Sequence, residues 1–256
     1  AVEATVVPYE SYTYDFWKQP VPAPQAYLPV RMMTGLDMGT DALSNPQDIT
    51  VLGDHIYILD TGKHRIIELD ENFQFVRAIT QFQNGGVMDK FSSPEGFFIT
   101  PDGTIYVADT GKERVVILDN DGNLLGIITS PHLEYPDFFP PRFVFRPRKI
   151  GVDSIGRIYL IAQDLYDGIV VLNNDGEFTG FVGAPKVKRS ALELFWSYLQ
   201  SEEQRQRSQL YLPIEYASFD VDKEGFIYAV VAGPAENEAL KKLNPAGQDV
   251  INRTGF

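Results

Sequence analysis

Three kinds of residue stand out in the 256-residue chain by type and spacing. An aspartate and an arginine lie five apart in each copy of the stretch D-T-G-K, as Asp60 with Arg65 and as Asp109 with Arg114. Across a tight turn such side chains meet and tie the turn. The repetition speaks for a structural ion pair, because a catalytic pair would create two equivalent sites. The second kind follows a proline at four points. Gln47 and Asp48 follow Pro46, Glu95 follows Pro94, Arg148 and Lys149 follow Pro147, and Glu215 and Tyr216 lie just beyond Pro213. Otherwise similar segments differ there in sign of charge, which suits recognition of a polar or zwitterionic ligand. The third kind is imidazole. His55, His64 and His132 are the only three, which is a poor supply for a zinc cluster. No G-x-S-x-G, H-E-x-x-H or phosphate-cradling glycine loop is present.

The elements that must position these residues are written in a repeat. The stretch "DTGKHRIIELD" at Asp60 returns forty-nine residues later as "DTGKERVVILD" at Asp109. The full units run over 45–80 and 93–129, and weaker copies cover 146–183 and 212–253. Each has a proline lead-in, an apolar run, a tight turn, a second run marked by an Ile-Tyr pair, and two further runs. The Ile-Tyr tyrosines are Tyr57, Tyr106, Tyr159 and Tyr228. Runs of five to six residues joined by Asn, Asp and Gly turns predict a four-stranded antiparallel meander. Such a unit cannot bury both faces of its sheet alone, so units must stack around an axis, as in a β-propeller.

The pattern Pro-x-Gly, apolar strand, D-G-x-I-Y-V-A-D-T-G-x-x-R, then D-x-x-G resembles the NHL repeat of six-bladed propellers. The second unit carries it nearly throughout, in Pro94, Gly96, Asp102, Gly103, Tyr106, Asp109, Gly111, Arg114 and Gly122. The first has Asp48 where the family prefers glycine, and the third and fourth lose the D-T-G-x-x-R turn. The resemblance implies an all-β propeller in which the proline lead-ins open beside the central channel. It also implies an alternative activity. In the related lactonase and gluconolactonase propellers a glutamate near such a lead-in helps hold calcium. Asp48, Glu95, Glu215 and Asp164 could supply some of the six to eight oxygens calcium takes. Against this, the third unit places Arg148 and Lys149 at the same point, and a cation beside a calcium site is costly.

The rest of the chain is expected to complete one domain over 1–256. Residues 10–36 read as a half-blade, with "YTYD" pairing with "AYLPVRMMT". Residues 185–210 read as an amphipathic helical insertion, with Val187, Ala191, Leu194, Phe195 and Tyr198 at helical spacing. The segment 130–147 is rich in proline and aromatics and serves either as cover between blades or as an aromatic wall for a ligand. Four units and a half-blade fall short of six blades, which predicts an incomplete ring that associates through open edges.

Composition narrows the partners. The net charge is −13, from 35 acidic and 22 basic residues. Such a surface repels phosphate backbones and anionic lipid, and no apolar run reaches the roughly 18 residues of a membrane span. Cysteine is absent, so disulfide and thiolate chemistry are excluded. The expected protein is a non-catalytic scaffold, bacterial and extracellular or in the cell envelope. It takes a small-molecule or protein ligand through Asp48, Glu95, Arg148, Lys149, Glu215 and Tyr216, without a cofactor. The alternative is a calcium-dependent lactonase.

Overall fold

A computed structural model describes residues 11–24, 31–140, 142–183, 215–232 and 239–251. The chain divides into two compact units, Ala1–Ala42 and Leu43–Phe256. In the first, β1 (Tyr12–Tyr14) pairs antiparallel with β2 (Pro20–Pro22). The Asp15 carboxylate closes the turn by accepting from the Trp17 and Gln19 amides, each at 2.9 Å. The expected partner of "YTYD" was the later "AYLPVRMMT". Residues 26–30 of that segment lie outside the described residues; 31–34 are not strand, and the pairing the structure shows for Tyr12–Tyr14 is with the nearer Pro20–Pro22.

The second unit is an all-β propeller. Blade 1 comprises β3 (Pro46–Leu52), β4 (His55–Asp60), β5 (Arg65–Leu69) and β6 (Phe75–Ile79). A separate hairpin, β7 (Gln81–Asn84) with β8 (Val87–Lys90), follows it. Blade 2 comprises β9 (Gly96–Ile99), β10 (Ile105–Asp109), β11 (Arg114–Leu118) and β12 (Leu124–Ile128), and blade 3 β13 (Pro147–Val152), β14 (Ile158–Ala162), β15 (Ile169–Leu172) and β16 (Phe178–Val182). Blade 4 comprises β17 (Glu215–Val221), β18 (Ile227–Ala232) and β19 (Leu240–Leu243). Each blade is an antiparallel meander in sequence order. The described residues thus form four blades, the last with three strands, rather than the six of the family pattern. The expected helical insertion lies outside the described residues. Among those residues the helical turns are short 3-10 segments at Thr61–Lys63, Thr110–Lys112, Pro131–Leu133 and Pro136–Phe138.

The alternation of side chains along each strand gives every blade two apolar faces, and these meet pairwise. Leu59, Ile66 and Ile79 of blade 1 pack with Phe97, Ile99, Val107 and Val116 of blade 2. Ala108 and Val115 of blade 2 pack with Ile150, Val152 and Leu160 of blade 3. Ile161, Ile169 and Val171 of blade 3 pack with Tyr216, Ala229 and Val231 of blade 4. Each buried large aliphatic side chain contributes about 1.5–3 kcal/mol. The aromatic segment 130–147 joins the junction of blades 2 and 3. Phe139 and Phe145 are buried there, and Phe139 stacks on Phe143 at 5.0 Å between ring centroids.

The repeated D-T-G-K turn does several jobs. Asp60 takes the Ser44 amide on one oxygen at 2.6 Å and Arg65 Nε on the other at 2.8 Å. Asp109 does the same with the Ser92 amide and Arg114. The glycine lies flat on the chain before the blade, where a Cβ on Gly62 would fall 2.6 Å from the Ser44 carbonyl oxygen. The threonine reaches forward to the next blade: Thr61 Oγ1 donates to the Pro94 carbonyl at 2.6 Å.

Candidate functional site

The first strands of the blades lie side by side at the inner edge of the propeller, β9 between β3 and β13, and β13 beside β17. Their opening residues therefore converge. In three of the four blades the pairing register slips at this point, between Pro46 and Asp48, between Pro147 and Lys149, and between Tyr216 and Ser218. A bulge leaves one residue unpaired and re-aims its side chain. The skipped residues are Gln47, Arg148 and Ala217, and all three, with Glu95 of blade 2, line one small cavity of about 20 Å³ together with Lys149 and Ile161. That volume holds about one water molecule, so a larger ligand must sit on the rim.

The charges on this rim are interlocked. Arg148 Nε donates to Glu95 at 2.8 Å, and another of its nitrogens stands 4.0 Å from Glu215. Lys149 Nζ reaches from blade 3 to blade 1, donating to Asp48 at 3.1 Å and to the Gln47 carbonyl at 3.3 Å. Arg148 is 47 % exposed, so water competes for its two pairs and each is worth about 1 kcal/mol or less, while the Lys149–Asp48 pair is half-buried. Gly96 permits the approach of the strands, since a Cβ there would fall 2.4 Å from the Arg148 carbonyl oxygen.

Of the six residues singled out by sequence, five come together: Asp48, Glu95, Arg148, Lys149 and Glu215. Tyr216 does not, and this is a correction. It is buried between blades 3 and 4, and its hydroxyl donates to the Gly183 carbonyl at 2.5 Å. The strand register gives the reason: Tyr216 opposite Val231 stands where blade 3 has the buried Pro147 opposite Ala162, one place before the slip, and Ala217 takes the place of Arg148. Asp164 lies exposed in the turn after β14. Among the described residues no group of three or more His, Asp or Glu side chains is placed to hold a metal ion.

A second concavity, of about 460 Å³, opens between blades 1 and 2 away from the rim. On its blade 1 side Glu68 is buried at 8 % exposure, with Arg77 Nε donating to its carboxylate. His55 Nδ1 lies 2.8 Å from the other carboxylate oxygen. Arg77 also donates to the Asn120 carbonyl of blade 2, which ties the two blades. Burial and the Glu68 carboxylate push the Tyr57 phenol up. Sequence reading missed this group, although a signal was present. In register, Glu68 opposite Tyr57 corresponds to Ile117 opposite Tyr106 and Val171 opposite Tyr159, so one copy of the repeat carries an acid where two carry aliphatics.

No protein-family model matches the chain, and no curated protein matches it. Solved structures do. Hydrazine synthase from Kuenenia stuttgartiensis is 15 % identical with a TM-score of 0.52, over 89 % of this chain and 52 % of that one. A candidate gluconolactonase is 14 % identical with a TM-score of 0.51, over 94 % of this chain and 69 % of that one. Virginiamycin B lyase from Staphylococcus aureus is 11 % identical with a TM-score of 0.45, over 93 % of this chain and 60 % of that one. The chain spans about half of the first of these and three-fifths of the last. At these identities the likeness to the first two is one of fold, and with the blades described above it makes the chain a β-propeller protein.

Proposed function

We propose that the chain is a binding propeller of the NHL-repeat type, a non-catalytic scaffold that recognises a small zwitterionic ligand at the rim where the first strands meet. One observation carries this reading: side chains from all four blades converge there with both signs of charge, two cations among three carboxylates. Weak exposed pairs exchange readily for the matching groups of a ligand, so an ammonium would take Glu95 or Asp48 while a carboxylate takes Arg148. The same pairing speaks against the calcium-dependent lactonase alternative. Calcium would have to displace Arg148 and Lys149 from the carboxylates it needs. An extracellular or cell-envelope location and a bacterial source remain part of the proposal.

Titration calorimetry with a panel of free amino acids tests it. Binding is expected for the unaltered chain and absent in Arg148→Glu, with the melting temperature of the variant nearly unchanged. Unfolding of Arg148→Glu would make Arg148 structural and end the proposal. Thermal stabilisation by millimolar calcium together with lactone turnover would establish the alternative instead.

A further inference from the structure

We infer that the cleft between blades 1 and 2 is a second binding site, selective for a small organic cation rich in N–H donors, such as an alkyl diamine. It is independent of the rim.

The wall of the cleft is built to accept hydrogen bonds. Glu68 is buried beside it, fixed by Arg77. His55 Nδ1 is itself buried and has no aligned hydrogen-bond partner, yet it stands 2.8 Å from a Glu68 oxygen. Two lone pairs at that distance repel, so in the neutral ring Nδ1 carries the proton and Nε2 is left as an acceptor. The imidazole is 45 % exposed, which gives a ligand access to it. Across the cleft, among the described residues, the Asp121 carboxylate and the Asn120 amide accept no hydrogen bond, while Asp102 is engaged by Thr100 and Thr104. Glu68, Asp102 and Asp121 face a single cation, Arg77, whose donors go to Glu68 and to the Asn120 carbonyl. A neutral ligand would leave this charge uncompensated, and an anion would be repelled. The exposed ring of His55, backed at 6.4 Å by the buried Tyr57 ring, adds a π face on which a cation can rest. The volume of about 460 Å³ suits a small molecule.

The repeat supplies the internal comparison. The blade 3 turn carries Asn174 and Asp175 where blade 2 carries Asn120 and Asp121. Facing that turn, blade 2 has Ile117 and Gly126 in the places of Glu68 and Arg77. Same turn, different wall: only the junction of blades 1 and 2 has both halves.

Calorimetry at low salt with 1,4-diaminobutane, and with 1,4-butanediol as its uncharged match, tests the inference. The diamine is expected to bind and the diol not. Asp121→Asn, at an exposed position, and His55→Ala, at a half-buried one, are each expected to weaken diamine binding roughly tenfold. Glu68→Gln is expected to do the same where it folds. Asp175→Asn and Glu95→Gln are expected to leave binding unchanged, the first excluding general attraction to an acidic protein and the second excluding the rim, whose carboxylates could also take an ammonium. Equal binding of diol and diamine, unchanged affinity in both Asp121→Asn and His55→Ala, equal loss in Asp175→Asn, or no binding would each overturn it.

Discussion

Thr110 Oγ1 donates to the Pro147 carbonyl at 2.6 Å, and so bolts the turn of blade 2 to the residue that precedes Arg148. Thr61 makes the same bond to Pro94, the residue before Glu95. Both threonines are buried. Replacing either by valine keeps the shape and leaves a carbonyl without its donor. A loss of about 1–3 kcal/mol is expected for Thr110→Val and for Thr61→Val, read from urea unfolding. Thr110→Ser should retain most of the stability. A loss below 0.5 kcal/mol, as an order of magnitude for ordinary surface changes, would show that the bolt carries no weight.

Asp89 of the β7–β8 hairpin is clamped by Arg114 at 2.7 Å and by Lys112 at 2.6 Å, and these cations hold its carboxyl well below the usual carboxylate range. The sign follows. A depressed folded-state pKa stabilises the fold fully above the unfolded value of about 4, and that stabilisation is lost as pH falls toward the folded value. Asp89→Asn should therefore cost about 1–3 kcal/mol at pH 7 and progressively less below pH 4. Urea melts of both proteins at pH 7 and pH 3 check this. An undiminished difference at the lower pH would refute it.

Gly96 is expected to resist even a methyl group. A Cβ there meets the backbone of Arg148 at 2.4 Å and Lys149 Cα at 3.0 Å, and neither can step aside alone. Gly96→Ala should cost about 1–3 kcal/mol through forced separation of β9 from β13. It should also weaken ligand binding at the rim beyond its effect on stability. Calorimetry on the folded fraction distinguishes the two effects.

The outer flanks carry a prediction about association. In β3 the side chains of Ile49 and Val51 are 62 % and 65 % exposed, while their counterparts in blade 2, Phe97 and Ile99, are 4 % and 7 % exposed against blade 1. Tyr228, Val230 and Leu240 on blade 4 are likewise open. Apolar stripes that internal junctions bury favour self-association. Sedimentation velocity should show association that grows with concentration and is reduced in Ile49→Asp and Val51→Asp. A strictly monomeric chain at high concentration would count against it.

What the sequence reveals here divides by the range of the interaction. The D-T-G-K turn was legible because its ion pairs close over five residues. The convergence of the lead-ins was legible because four copies could be compared. The role of Tyr216 was not, since the fourth copy is too divergent to show that Tyr216 takes the place of Pro147, which the strand register reveals. The β7–β8 hairpin was missed although Gly85 and Gly86 at its tip are a turn signal, because it falls between repeats and has no second copy for comparison. Glu68 was missed for a different reason. The change in charge that marks the lead-ins falls on the first strand of each copy, whereas this one lies two strands further out, on the third.

The register slips at Gln47, Arg148 and Ala217 have an evolutionary consequence. An unpaired residue contributes its side chain to the rim without a place in the hydrogen-bond ladder, so substitution there leaves the strands matched. Together with Glu95, these positions form an alphabet of four letters on a frame that does not read them. Duplication of a blade and drift at one letter would suffice to rewrite what the rim recognises. Residues such as Gly96 and Thr110, one strand or one turn away, would stay frozen.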